Sequence, residues 1–201
     1  HRLMDNPARA KKLDLLLHEV RACTVCTRHL PLGPRPVLRA SATAKIVIIG
    51  QAPGRKVHET GIPWNDPSGD LLRVWLGVAK EIFYDEARIA IIPTGFCYPG
   101  KGPQGDLPPR PECAPLWHLR LAALMPQIEL VLLVGQYAQA AILGDRKKST
   151  LTETVLHCSD YAPRYIPLPH PSPRNRLWLK RNPWFTRDII PRLRARIAAL
   201  L

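Results

Sequence analysis

Four short apolar runs alternate with helical patterns along the chain. Lys45-Ile-Val-Ile-Ile-Gly50 sets four β-branched residues in a row and ends in glycine. Arg88-Ile-Ala-Ile-Ile-Pro93 has the same form, Glu129-Leu-Val-Leu-Leu-Val134 stops at Gly135, and Arg164-Tyr-Ile-Pro167 is a shorter fourth run. Runs that are apolar at every position, not at alternate ones, predict strands buried on both faces, as in parallel sheets. Helical spacing appears over Pro7 to Val20 (Leu13, Leu16, Leu17, Val20) and over Ser68 to Lys80 (Leu71, Leu72, Trp75, Leu76), with Ser68 as the expected N-cap. Further helices are expected over Glu112 to Leu124, Gln136 to Leu143 and Thr186 to Leu201.

Strand alternating with helix predicts the α/β class, an open three-layer sandwich around a central, mostly parallel four-stranded sheet. The first helix and the loop Pro31 to Pro36 are expected to fold onto that sheet, so that residues 4–201 make a single domain. His1-Arg2-Leu3 ahead of Met4 reads as a cloning remnant. Sites in such sheets form where loops leave the carboxyl ends of strands. Three segments qualify: Gln51 to Gly69, Thr94 to Pro111, and His170 to Asn175. Many of the 22 prolines fall in or beside these loops, where fixed φ angles stiffen the backbone.

Charge narrows the partner. Lys and Arg number 29 against 16 Asp and Glu, a net +13. A surplus of this size suits a polyanion, because neutralised phosphates release counterions. Arg174, Arg176, Lys180, Arg181, Arg187, Arg192, Arg194 and Arg196 crowd the end of the chain, with Trp178, Trp184 and Phe185 interleaved. Charge with stacking surface points to nucleic acid, not to a membrane. No apolar run approaches the ~20 residues of a spanning helix, and no secretory signal is visible.

Five cysteines with no signal peptide argue against a disulfide framework. Cys23-Thr-Val-Cys26 is a CxxC pair, and Cys97 and Cys113 stand sixteen positions apart in a Pro-rich stretch that can fold back on it. Four thiolates from two segments can close a tetrahedral zinc site or hold a cubane iron–sulfur cluster, and spacing alone does not choose. Cys158 has no close partner and is expected to be a buried thiol.

Gly50-Gln-Ala-Pro-Gly54, Gly61-Ile-Pro-Trp64, Ser68-Gly69 and His170-Pro-Ser-Pro-Arg-Asn175, in this order, resemble the motifs of the uracil-DNA glycosylase superfamily. Together with the four cysteines the resemblance runs from Cys23 to Trp178 and is nearest the iron–sulfur branches. It implies a [4Fe–4S] cluster on Cys23, Cys26, Cys97 and Cys113, with zinc the less favoured occupant. It also implies a monofunctional DNA glycosylase acting on damaged or modified DNA, single- or double-stranded; nothing in the sequence demands more than a monomer, and the expected setting is the cytoplasm, at the bacterial nucleoid. The chain departs from the pattern in two places. Gln51 and Ala52 stand where other members carry a carboxylate or Asn, and Pro93-Thr-Gly-Phe96 has no Asn where the family reads the uracil edge. The second motif, His170 to Asn175, is more similar to that of the single-strand-selective branch. The target is therefore uracil or a related deaminated or modified base.

The resemblance assigns roles accordingly. Asp66, in Trp64-Asn-Asp-Pro-Ser-Gly69, is similar to the catalytic Asp of a branch that also lacks an acid in its first motif. A carboxylate there would stabilise an oxocarbenium-like sugar or orient water. His170 would hydrogen-bond a carbonyl oxygen of the leaving base, and Trp64 would stack on the extruded base. Gln51, Ala52, Gly54 and Thr94 complete the expected base pocket. Ser172, Arg174, Asn175 and Arg176 are the expected DNA contacts, with Arg174 as wedge. His58 and Glu59 lie on the first site loop as further acid–base candidates or as solvated residues. Without a carboxylate at Gln51 or Ala52, a DNA-binding module that has lost catalysis is the alternative. Covalent capture of the abasic sugar is a remoter one.

Overall fold

The computed structural model describes residues 6–201, so the expectation for residues 1–3 lies outside the described residues. The four apolar runs form β1 (Ile46–Ile49), β2 (Ile89–Ile91), β5 (Leu130–Val134) and β6 (Tyr165–Leu168), all mutually parallel, in the order β2-β1-β5-β6. A short antiparallel hairpin, β3 (Lys101–Gly102) and β4 (Gly105–Asp106), lies outside that sheet. Alternate residues of the central strands enter two separate cores. Val47, Ile49, Val131 and Leu133 pack with α1 (Pro7–Arg21), α5 (Cys113–Ala123) and α6 (Gln136–Leu143). Ile46, Ile48, Leu130 and Leu132 pack on the opposite face with α3 (Pro67–Leu76) and α9 (Ile190–Leu200). Apolar residues at every strand position are what two covered faces require. Shorter helices fill the connections: α2 (Arg55–Thr60), α4 (Lys80–Phe83), α7 (Leu151–Leu156) and α8 (Arg176–Arg181).

The leading segment covers an edge of the sheet. Arg39 pairs with Ile91 in an antiparallel bridge, so the outer side of β2 meets backbone instead of solvent. Among the described residues no helix is long and apolar enough to cross a membrane.

Three expectations are corrected. Asp66, not Ser68, caps α3: its side chain accepts from the Gly69 amide at 2.8 Å. The helix expected from Thr186 begins one residue earlier as a π-helical turn, Phe185–Ile189, and continues as α9. The aromatic residues among the C-terminal arginines pack largely on one another, and of the three only Trp178 also lines the cleft at the strand ends. Phe185 is fully buried, and Trp178 and Trp184 pack edge-on against it and each other, with centroids 5.6 to 6.5 Å apart.

Candidate active site and cysteine cavity

Chain order places β2 on one side of β1 and β5 on the other, so connections diverge at the carboxyl ends of β1 and β5. That is the crevice where open α/β sheets hold ligands. A cleft of about 1150 Å³ opens there. All three expected loops line it, and a fourth, Gly135 to Tyr137 after β5, lines it as well.

The structure brings Gln51, Ala52, Gly54, Trp64, Asp66, His170, Ser172, Arg174 and Asn175 together on the cleft wall. Two expected residues lie elsewhere. Thr94 is buried beneath the cleft, where its hydroxyl donates to the Gly50 carbonyl oxygen at 2.7 Å, so it fastens the first motif and does not face the cavity. Arg176 is exposed at the start of α8, outside the cleft lining.

Trp64 forms the floor. Its φ of +58° is the left-handed conformation that a bulky residue adopts only when the surroundings hold it there. Gly50 and Gly69 make room for it: a Cβ on Gly50 would come 2.9 Å from the indole, and one on Gly69 would overlap the Trp64 carbonyl. From outside, Tyr84 donates its hydroxyl to the Pro63 carbonyl at 2.7 Å, and buried Arg73 reaches the Trp64 carbonyl at 3.3 Å. Arg73 is itself paired with Asp70 at 2.7 Å.

His170 packs over Trp64, the two rings 5.6 Å apart and inclined by 33°. Burial pushes its imidazole below the usual histidine value, against the opposing pull of the Asp66 carboxylate. A neutral ring keeps one N–H donor and one acceptor. The loop carrying it is braced from within. Asn175 Nδ2 donates to the His170 carbonyl at 2.8 Å, and Ser172 Oγ accepts from the Arg174 amide at 3.2 Å. Arg174 reaches across the cleft and donates to the Gln104 carbonyl at 2.7 Å. That contact clasps the hairpin β3–β4, which no motif foretold. The signal available was Gly102-Pro-Gln-Gly105, a glycine-bounded two-residue turn inside an expected site loop. His58 and Glu59 sit on α2 away from the lining, their carbonyls held by Arg35.

Cys23, Cys26, Cys97 and Cys113 line a second, small cavity with Leu30 and Phe96. Burial pushes the Cys97 and Cys113 thiols up to about 11, partly offset by backbone N–H groups of Arg35 and Phe96 that point at the sulfurs. Among the described residues no three His, Cys, Asp or Glu side chains converge as they would on one metal ion. Backbone donors meet two of the four sulfurs, those of Cys97 and Cys113, while the Cys26 thiol lies 3.4 Å from a Glu112 carboxylate oxygen; four thiols around one cavity are a donor set that a polynuclear cluster, with one thiolate to each iron, can use. A single zinc needs all four donors about 2.0–2.3 Å from one point. Cys158 is half-buried against the other core.

Fold and cleft together define an open α/β protein with its main cleft at the topological switch point. The chain belongs to the uracil DNA glycosylase superfamily, whose family model matches residues 39–194. It is also similar to the Type-4 uracil-DNA glycosylase of Thermotoga maritima, with 28% identity over 173 residues that cover 82% of this chain and 83% of the relative.

Proposed function

We propose that this chain hydrolyses the N-glycosidic bond of uracil, or of a related deaminated base, in DNA after the nucleotide is turned out of the stack. The observation that carries the reading is His170, packed over Trp64 in a cleft that also contains the Asp66 carboxylate, where burial lowers the affinity of its imidazole for protons. Breaking the bond puts positive charge on the sugar and negative charge on the base. Asp66 supplies a fixed negative charge for the first, and its capped oxygen holds the group in place. The neutral imidazole of His170 donates its N–H to the base oxygen as charge builds there. Gln51 offers a side-chain amide on the same wall to read a base edge, a task that inward-turned Thr94 leaves open. Exposed arginines around the cleft, with the net charge of +13, supply phosphate contacts.

Cys23, Cys26, Cys97 and Cys113 are the residues that would hold a [4Fe–4S] cluster. When bound, it would tie the CxxC segment to the loop that carries the hairpin. Lys101 lies exposed at the cleft, so the monofunctional reading is tested directly. Single- and double-stranded uracil oligonucleotides are expected to break only after alkali; breakage without alkali would indicate a lyase. Intact strands across a panel of deaminated bases, with DNA binding retained, would instead favour the binding module. Iron and sulfide near four each, with absorbance around 400 nm, are expected of purified protein, and stoichiometric zinc would refute the cluster.

A further inference from the structure

Two carboxylates face the cleft, and they are held in different ways. One oxygen of Asp66 is committed to the cap of α3, accepting from the Gly69 amide at 2.8 Å. Asp106 closes β4, paired in register with Lys101. Its Oδ2 lies 3.5 Å from where a Cβ on Gly54 would stand, so it rests against the turn of the first motif. Among the described residues its carboxylate accepts no hydrogen bond that influences its titration. The hairpin is nevertheless fixed: Arg174 clasps the Gln104 carbonyl at 2.7 Å, and the Leu107 amide donates to the Gly100 carbonyl at 2.8 Å.

A base that activates water needs an uncommitted lone pair, a fixed position in the cleft and a proton affinity above that of an ordinary carboxylate. Asp106 has all three. Asp106 is exposed on the hairpin, yet partial desolvation of its carboxylate at the cleft wall raises its affinity; Arg174 and Lys101 oppose the rise and Asp66 adds to it. Arg55 lines the same cleft from the first turn of α2.

We propose that Asp106 is the general base for the attacking water, leaving Asp66 as the fixed charge beside the sugar. The inference rests on the glycosylase reading. Water oxygen bonds to the anomeric carbon as the carbon–nitrogen bond breaks, its electron pair departing with the base. One water proton passes to the Asp106 carboxylate and then to solvent. The departing base, its charge spread through the His170 hydrogen bond, takes a proton from solvent. The first motif lacks an acid at Gln51 and Ala52, and the hairpin delivers one against the same turn from another segment.

The test compares wild type, Asp106→Asn and Asp106→Glu, each with its metal content matched, in single-turnover cleavage of a uracil oligonucleotide. Asp106→Asn is expected to slow cleavage by about 10²- to 10³-fold, with the Kd for a non-cleavable duplex within about threefold and an unchanged Tm. The acid limb of the wild-type pH–rate profile, where the rate falls as the base is protonated, should vanish in Asp106→Asn and return in Asp106→Glu. An active wild type with Asp106→Asn cleaving within threefold of it, or with the acid limb intact, would overturn this assignment alone. A wild type inactive on uracil and on the panel of deaminated bases overturns the glycosylase reading and this assignment together.

Discussion

Two loops that meet over the cleft achieve rigidity in opposite ways. The segment His170 to Asn175 is six residues long and carries its own braces, Asn175 onto the His170 carbonyl and Ser172 onto the Arg174 amide. The segment Gln51 to Gly69 is three times longer, and its holding contacts come mainly from elsewhere. Thr94 fixes Gly50, Arg35 holds the carbonyls of α2, and Tyr84 and Arg73 hold Pro63 and Trp64. A short loop can be made stiff by its own prolines and side chains, whereas a long one has too much chain entropy and must lean on its neighbours.

The largest expected break in that contrast is Gly69→Ala. The new methyl group would collide with the Trp64 carbonyl, a backbone atom that cannot swing aside. A loss of about 3 kcal/mol or more is expected in urea unfolding, with collapse of the cleft floor. Asn175→Ala acts on the self-braced loop and leaves the His170 carbonyl without its donor. About 1–2 kcal/mol should be lost, and hydrogen exchange should quicken within residues 170–175 while the longer segment stays protected. Tyr84→Phe reverses the pattern at about 1 kcal/mol. It touches neither loop's sequence, yet faster exchange should appear around Pro63 and Trp64.

The smallest effect is a pH slope. His118 Nε2 donates to the Pro93 carbonyl at 2.9 Å, next to the Thr94 that secures Gly50. Burial lowers its affinity for protons below the ordinary value of 6.5, against the pull of the Pro93 carbonyl. The unfolded chain therefore takes up a proton near 6.5 that the fold resists. This contribution to stability is complete above 6.5 and is lost as pH falls through the folded-state value. Unfolding measured between about pH 5 and 8 should show the decline, and His118→Gln should remove part of it. The change cannot exceed about 1.4 kcal/mol per pH unit.

The same contrast explains what could be read from the sequence. Ile46–Ile49, Ile89–Ile91 and Leu130–Val134 announce themselves because burial on both faces writes an unbroken apolar run. The self-braced loop is legible because its motif and its braces occupy the same six residues. The longer segment gives up its motif but not its supports: nothing local to Trp64 points to Tyr84, Arg73 or Thr94. Asp66 was legible as a site residue but not as the cap of α3, since Ser68 fits the cap pattern equally well. The place of Asp106 in the cleft was hidden because only the fold brings β4 against Gly54, an approach between residues 52 positions apart. The tryptophans near the C-terminus were misleading for a related reason, as alternation with arginine does not reveal which face of a helix meets the core.

Cys97 and Cys113 stand on either side of the hairpin, sixteen positions apart, and among the described residues none lines both the cysteine cavity and the cleft. Joining those two cysteines through one cluster turns the intervening chain from an open tether into a ring. Ring closure removes conformations from the loop without adding any contact to the reacting groups. A ring closed through the proposed cluster would add a covalent constraint to a hairpin that Arg174 and the Leu107 amide already hold against the Gly54 turn, so loss of iron is expected to reach the cleft only as a modest rise in hydrogen exchange over residues 97–113.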